Sequence, residues 1–545
     1  MRSRNPRHSP FMLAALVIAA LCHGATRAQE LGTIDFATSG APAAQPAFLE
    51  GVKALHSFQF DEAAVAFQSA KQADPDFALA YWGEAMSHNH PLWAQQDREA
   101  AKQILESLAP TLDGRLAKAG TDKERAFLEA ADRLFYGPDD KLVRDRAYSD
   151  YMAQMYERWP DDHEIATFYA LSLLGTVRPG DTGFRRQALA ASIVMKVYDE
   201  NPDHPGAAHF IIHSFDDPEH APLGLPAARA YAGIAPAAAH ALHMPSHIFV
   251  QLGLWADVVA SNIDAYAAAI EVNKRLNLPE GREDFHTLSW LGYGHLMLGD
   301  FDAALANVEL ARAAMERNPG NAGIRDGYLS MRARYILETE QWEHIPLQTE
   351  SAHAAHDSMP GMTMAQSGGG PWLFIAGASA AKLGDPTTAE AVVAELKRMR
   401  ERTAAEGNAY RARSVAILEN EVAALASLAR GEHGEAIRLA RDAAEIEGKL
   451  AAPSGPPDPI KPAYELYGEV LLAADRAAEA VAAFEQSLLR TPRRTPSLLG
   501  LARAAAASSD TATARRAYGE IAEMPGAAET SPAVGEAREW LMGNR

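Results

Sequence analysis

Two stretches near opposite ends of the chain share one spacing, and that spacing limits the fold more than any other feature. Gly51, Ala63, Phe67 and Pro75 follow one another at intervals of twelve, four and eight residues, and Gly468, Ala480, Phe484 and Pro492 repeat those intervals. Leu291-Gly292 with Ala304, and Gly500 after Pro492, mark further units. Between them, Ala-rich stretches such as EAVAAFEQSLL and DAALANVELARAAMERN carry apolar residues at helical spacing and not in the alternation of a strand. The expectation is an all-α chain. A length of 545 residues would ordinarily mean several globular domains, but stacked repeats can carry it as one continuous body.

The spacing resembles the tetratricopeptide repeat (TPR), a 34-residue helical hairpin with small and aromatic residues at fixed contacts and a proline closing the second helix. The resemblance spans residues 45 to 525 and implies a TPR-like α-solenoid of stacked helical hairpins wound as a right-handed superhelix. Pro160, Pro202 and Pro236 close similar helices with less faithful small and aromatic slots. Arrays of this family commonly dock peptides or other proteins in a concave groove, so the resemblance specifies the fold far better than the function.

Residues 1–28 read as a cleaved secretory leader: Arg2, Arg4 and Arg7 precede an apolar run from Phe11 to Cys22, too short to span a bilayer, and Thr26-Arg27-Ala28 offers a cleavage site before Gln29. The expected location is therefore the periplasm or the exterior. The leader holds the single cysteine, which excludes disulfides and thiolate ligands from the remainder. It also carries four arginines and no acid, so its removal takes the formal charge from −20 to −24. Such an acidic chain is a poor partner for nucleic acid or anionic membrane, and no later run is long enough to cross a membrane. Breaks at residues 351–371 and 451–462 divide the remainder into an N-terminal array (29–350), a flexible His/Met/Gly loop (351–371), middle repeats (372–450), a Pro-rich linker (451–462) and C-terminal repeats (463–545).

The segment from Asp203 to Asp257 holds seven of the nineteen histidines. His209 and His213 are four apart and share one face of a helix, and His240, His243 and His247 repeat the stripe one hairpin later. Counted from Pro202 and Pro236, His209/His213 and His243/His247 fill the same slots, seven and eleven residues on. In the TPR resemblance those slots face the groove. A single histidine on an apolar face is usually a core residue with a satisfied hydrogen bond. Five in two stripes are costly unless a cation lies between them, because charged rings repel and neutral buried rings need partners. The expected ligands are zinc or copper, on one ion or on two ions a few ångströms apart.

His286 occupies the slot of His240 one repeat later and stands behind the main five, as does His220. Pro245 raises an opposing expectation: if it divides the segment into two short helices, His247 loses its register. Asp216, Asp217 and Glu219 suggest carboxylate ligands, but Asp217-Pro218-Glu219 is better read as a helix start with Asp217 as the cap. Glu84 and His88, four apart, are second-rank candidates for a catalytic base or an added ligand. His353 to Met364 mixes imidazole and thioether in a loop that suits copper. Phosphate-loop, dinucleotide, zincin and serine-hydrolase motifs are absent from the sequence.

Two readings follow. One is an exported solenoid that binds zinc or copper through clustered histidines, with metalloenzyme chemistry open between a hydrolase and a copper oxidase or oxygenase acting on a small substrate. The other is a non-catalytic scaffold for protein or peptide interactions.

Overall fold

The computed structural model describes residues 31–278, 284–345 and 369–544. The leader and the His353–Met364 segment lie outside the described residues. The chain is an all-α solenoid in which successive helices pack as antiparallel hairpins and each hairpin stacks on the next. Among the described residues the β structure is one two-residue ladder, Asn89–His90 against Gln95–Gln96. No described helix is long and apolar enough to cross a membrane.

The shared spacing has a packing cause. Phe67 is fully buried and lies between Gly51, where an added Cβ would come within 2.8 Å of its ring, and Gly83, where it would come within 2.3 Å. Phe484 does the same between Gly468 and Gly500, at 2.8 and 2.2 Å. One aromatic ring thus locks the first helix of its own hairpin to the first helix of the next, and only a residue without a Cβ leaves it room. Gly83 is the partner that the sequence pattern did not identify.

The turn inside each hairpin also recurs. Seven residues after Gly51, Gly292, Gly377 and Gly468 stand Phe58, Gly299, Gly384 and Asp475, all with positive φ (53°, 72°, 80° and 58°). Glycine takes this left-handed conformation freely, and aspartate tolerates it. Phe58 is the bulky exception.

The array does not run on as an open ribbon. The C-terminal repeats fold back onto the helix Phe285–Leu298: Thr495 Oγ1 donates to Met297 O at 2.6 Å, and the Ala528 amide donates to Leu298 O at 2.9 Å. Arg494 is fully buried there, bonded to Glu465 and Glu338 at 2.8 Å each and to Tyr293 Oη at 3.3 Å. The Pro-rich 451–462 segment then reaches the central hairpins, where Pro453 O accepts from Gln251 Nε2 at 2.8 Å. Gly369, Gly370 and Pro371, assigned from sequence to the loop, open the helix Gly369–Lys382.

Candidate metal centre

The histidines lie on helices whose starts are locally encoded. In Pro205–Ser214 the proline sits in the first turn, where its missing N–H is no loss, and His204 caps the end by accepting the Ala207 amide at 3.2 Å. Gly206 lets this helix approach His56, since a Cβ there would stand 2.6 Å from the His56 ring. His240, His243 and His247 lie on Ala239–His243 and Pro245–Gln251. Pro245 does divide the segment, but the expected loss of register does not follow. Met244 between the two helices keeps helical angles (φ −53°, ψ −36°), so His243 and His247 remain one turn apart.

The five imidazoles expected to face one way instead sort into two groups, and His286 completes the second. Ligand atoms of His209, His213 and His240 lie within 4.8 Å of one another, as do those of His243, His247 and His286. The stripe His240/His243/His247 is therefore shared between two triads. The triads are neighbours. Ring centroids of His213 and His247 are 5.8 Å apart and those of His240 and His243 are 6.2 Å apart, comparable with the 4.7–6.2 Å separations inside the second triad.

Hydrogen bonds fix which nitrogen faces inward. His209 Nδ1 donates to His56 O at 2.6 Å, His243 Nδ1 donates to Asn262 Oδ1 at 2.6 Å, and His247 Nδ1 donates to Asp216 Oδ2 at 2.7 Å. Asn262 is oriented by its own Nδ2 bond to Val258 O, so its oxygen must accept. Each of these rings has its one neutral-state proton on Nδ1, which leaves a lone pair on Nε2. His243 Nε2 and His247 Nε2 then face each other, lone pair to lone pair, at 3.2 Å, with His286 Nε2 3.0 Å from His243 Nε2. In the first triad the Nε2 atoms of His209, His213 and His240 are all buried without a partner. Ligands on a tetrahedral ion at 2.0–2.1 Å stand roughly 3.3 Å apart, so the second triad is nearly at coordination spacing.

Electrostatics agree. Burial lowers the His209 pKa to about 3 despite the His56 carbonyl, and burial with crowding by neighbouring imidazoles holds His213, His240 and His243 well below the usual histidine range. Neutral imidazoles with free Nε2 lone pairs are the ligand form of histidine. His209, His243 and His247 are buried, against the expectation of an open groove, while His286 is the exposed edge of the set.

Aromatic rings wall both triads. Phe58, in the strained turn, has its ring centroid 4.4, 5.9 and 5.4 Å from those of His209, His213 and His240. Trp290 lies 4.4 Å from His247, held by the 451–462 segment, where a Cβ on Gly455 would come within 2.5 Å of the indole.

A third group, His56, Glu164 and His204, is fully buried. It is a hydrogen-bonded network in which His56 Nε2 donates to Glu164 Oε2 at 2.7 Å and His204 Nε2 to Glu164 Oε1 at 3.2 Å, while His56 Nδ1 is buried without a partner. It supports the first triad, because His56 O is the acceptor that orients His209. These three residues, far apart in sequence, carried no local signal.

The other candidates are placed elsewhere. His220 joins neither triad: its Nδ1 is bonded to Asp217 at 2.9 Å, and its ring lies tilted beside Phe184, 4.8 Å between centroids. Asp217 accepts the Glu219 and His220 amides at 2.9 and 3.0 Å, but this closes a turn ahead of the helix Ala221–Ile234, whose cap position is His220 and not Asp217 as expected. Asp216 instead orients His247. Glu84 is paired with Lys71 and accepts from Gln68 Nε2 at 2.9 Å, a structural role, and neither it nor His88 joins a triad.

No protein-family model matches the chain, and no curated protein matches it in sequence. Among solved structures it is similar to yeast Tom70 (12% identity, 92% of this chain and 95% of that one, TM-score 0.28). It is also similar to the P58(IPK) TPR domain (12% identity, 92% and 99%, TM-score 0.20). Nothing of their function carries over at these scores.

Proposed function

We propose that the chain is a helical-repeat protein built around a dinuclear metal centre, with His209, His213 and His240 holding one ion and His243, His247 and His286 the other. The observation that carries this is the convergence of six imidazoles, three of them with orphaned Nε2 atoms and two with Nε2 lone pairs opposed. Copper is the ion whose charge fits. The donors are imidazoles, so two divalent ions would bring four positive charges into a largely buried site with only the carboxylates of Asp216 and Asp284 near it. Two copper(I) ions would bring two, at a much smaller desolvation cost. Imidazole also suits copper, and three donors leave each ion an open position.

Such a pair would supply two electrons to dioxygen, where one copper(I) ion would supply one. The residues around it would exclude water, through Phe58 and Trp290, and hold the ligand tautomers, through Asp216, Asn262 and His56 O. His286, at the exposed edge, gives the ions an entry. A hydrolytic zinc reading has less support: it calls for a free carboxylate base, whereas Asp216 is engaged by His247 and Gln251 and Glu84 by Lys71. Export through the 1–28 leader would place the centre in an oxidising compartment.

The scaffold reading rests on the repeat architecture, whose stacked hairpins offer extended surfaces to a protein or peptide. It does not account for His209, His243 and His247, which are buried. The deciding experiment is metal content of the full-length protein after anaerobic loading with copper(I) and, separately, with zinc(II), followed by dialysis. Two copper ions per chain, with an absorption change on admitting air, is the expected result. Retention of neither metal would leave the scaffold reading alone.

A further inference from the structure

The two triads are backed by different parts of the chain. His209 and His213 lean on the N-terminal hairpin, through the His56 carbonyl and the Phe58 ring. The second triad is backed by the C-terminal repeats. Just past the helix Pro245–Gln251 that carries His247, the Trp255 indole donates to Arg493 O at 3.0 Å, and Gly253 leaves room for the Arg493 side chain. On the helix Phe285–Leu298, which carries His286, Arg494 Nη1 donates to Tyr293 Oη at 3.3 Å and stands 3.8 Å from Met297 Sδ, while Thr495 Oγ1 donates to Met297 O.

Positions 286, 290, 293 and 297 fall on one stripe of that helix, because steps of four, three and four residues return to nearly the same angle. His286 and Trp290 meet the triad on the same face that Tyr293 and Met297 turn to Arg494. The guanidinium is itself anchored by Glu465 and Glu338, so it is a fixed point against which the helix is set. His247 and His243 are oriented through Nδ1 by Asp216 and Asn262. Among the described residues His286 has no such partner, and its Nε2 reaches within 3.0 Å of His243 Nε2 because its helix places it there. A ligand set works only if held within about 0.5 Å of its geometry, so the position of this helix governs the second site.

We propose that the C-terminal repeats are the positioning element of the second ion: Arg494 and Thr495 set the helix Phe285–Leu298 so that His286 meets His243 and His247. Docking of residues 463–545 and binding at the second triad then reinforce each other, since a coupling between two events is equal in both directions. The first ion, backed by His56 and Phe58, lies outside this coupling. The ion's part rests on the dinuclear reading above; the grip of Arg494 on the helix does not.

The test uses full-length protein loaded anaerobically with copper(I). Affinity at each triad is measured by competition with a chelator, in a His213→Ala background that keeps the second site and a His286→Ala background that keeps the first. Arg494→Lys retains the charge and loses the fork, and Thr495→Val and Tyr293→Phe each remove one hydrogen bond at nearly constant shape. Arg494→Lys should weaken the second site roughly tenfold, within the usual range of coupling between sites, with smaller losses in the other two and the first site unchanged. Hydrogen exchange gives the reverse direction. Copper should slow exchange in residues 495–507 of wild type, and should not do so in His286→Ala although that variant still takes one ion. In metal-free protein, Arg494→Lys should speed exchange in residues 285–298. Equal losses at both triads in all three variants would mean general destabilisation and overturn the proposal, as would an unaltered second site or C-terminal exchange that ignores copper in a chain holding two ions. A wild type that retains no copper overturns the dinuclear reading and the coupling with it, and faster metal-free exchange in Arg494→Lys would then mark the grip as a contact of the fold alone.

Discussion

His247 Nδ1 donates to Asp216 Oδ2 across 2.7 Å, and Asp216 in turn accepts from Gln251 Nε2 at 3.2 Å. The contact fixes the His247 tautomer, turns its Nε2 toward His243 and His286, and ties that orientation through Gln251 to the Pro-rich 451–462 segment at Pro453. Asp216→Asn keeps the shape of the side chain and removes its charge. We expect a 10- to 100-fold loss of metal affinity with little change in folding, the usual effect of removing an outer partner of a ligating histidine. Competition with a chelator of known affinity measures it.

The two triads should empty independently. His213→Ala and His286→Ala should each bind one fewer ion per chain than wild type, and the double variant should bind none. His220→Ala and His433→Ala, outside the triads, should load normally. Metal analysis after dialysis checks this, and equal content in wild type and all five variants would overturn the assignment of ligands.

The metal-free protein should be acid-sensitive. Unfolded histidines titrate near pH 6.5, whereas His209 in the folded chain does so only near pH 3, and His213, His240 and His243 are also well depressed. Between those values the unfolded state binds protons that the folded state refuses. The stabilisation is therefore complete above about pH 6.5 and is lost as pH falls toward 3, at roughly 1.4 kcal/mol per pH unit for each histidine. Melting temperature against pH, for wild type and for His213→Asn, should show the variant with the shallower acid slope.

Gly455→Ala tests how the C-terminal part bears on the centre. The new methyl group would stand 2.5 Å from the Trp290 ring, so either the indole or the 451–462 segment must move. Affinity for the ion at His243, His247 and His286 should fall while the other ion is held as in wild type. Normal binding of both would show that the segment covers the site without shaping it.

Scaffold and site should separate under mutation of the repeat contacts. Phe484 is fully buried between Gly468 and Gly500, so Phe484→Ala should cost about 3–5 kcal/mol and Gly500→Ala about 1–3 kcal/mol by overpacking. Denaturant unfolding measures both. Metal per folded chain should be unchanged in either variant.

By itself the sequence determined the all-helical hairpins and the repeat register, because the contacts that set them are close in the chain: Gly51 to Phe67, and Gly468 to Phe484 to Gly500, recur at one spacing. It also singled out His209, His213, His240, His243 and His247, since spacing on a helix places side chains on a face. It did not divide those five into two sets, and the small distinction between His286 and His220 could not be drawn from their neighbours in the chain. That division depends on how far each hairpin is rotated against the next, a sum of many packing contacts with no signature at any one residue. Tertiary structure alone joined His286 to His243 across 43 residues, brought His56 and Glu164 behind His209, and folded the 451–462 segment over Trp290. Where a helix forms is written in its own residues; which helices meet is decided by the shape of everything packed between them.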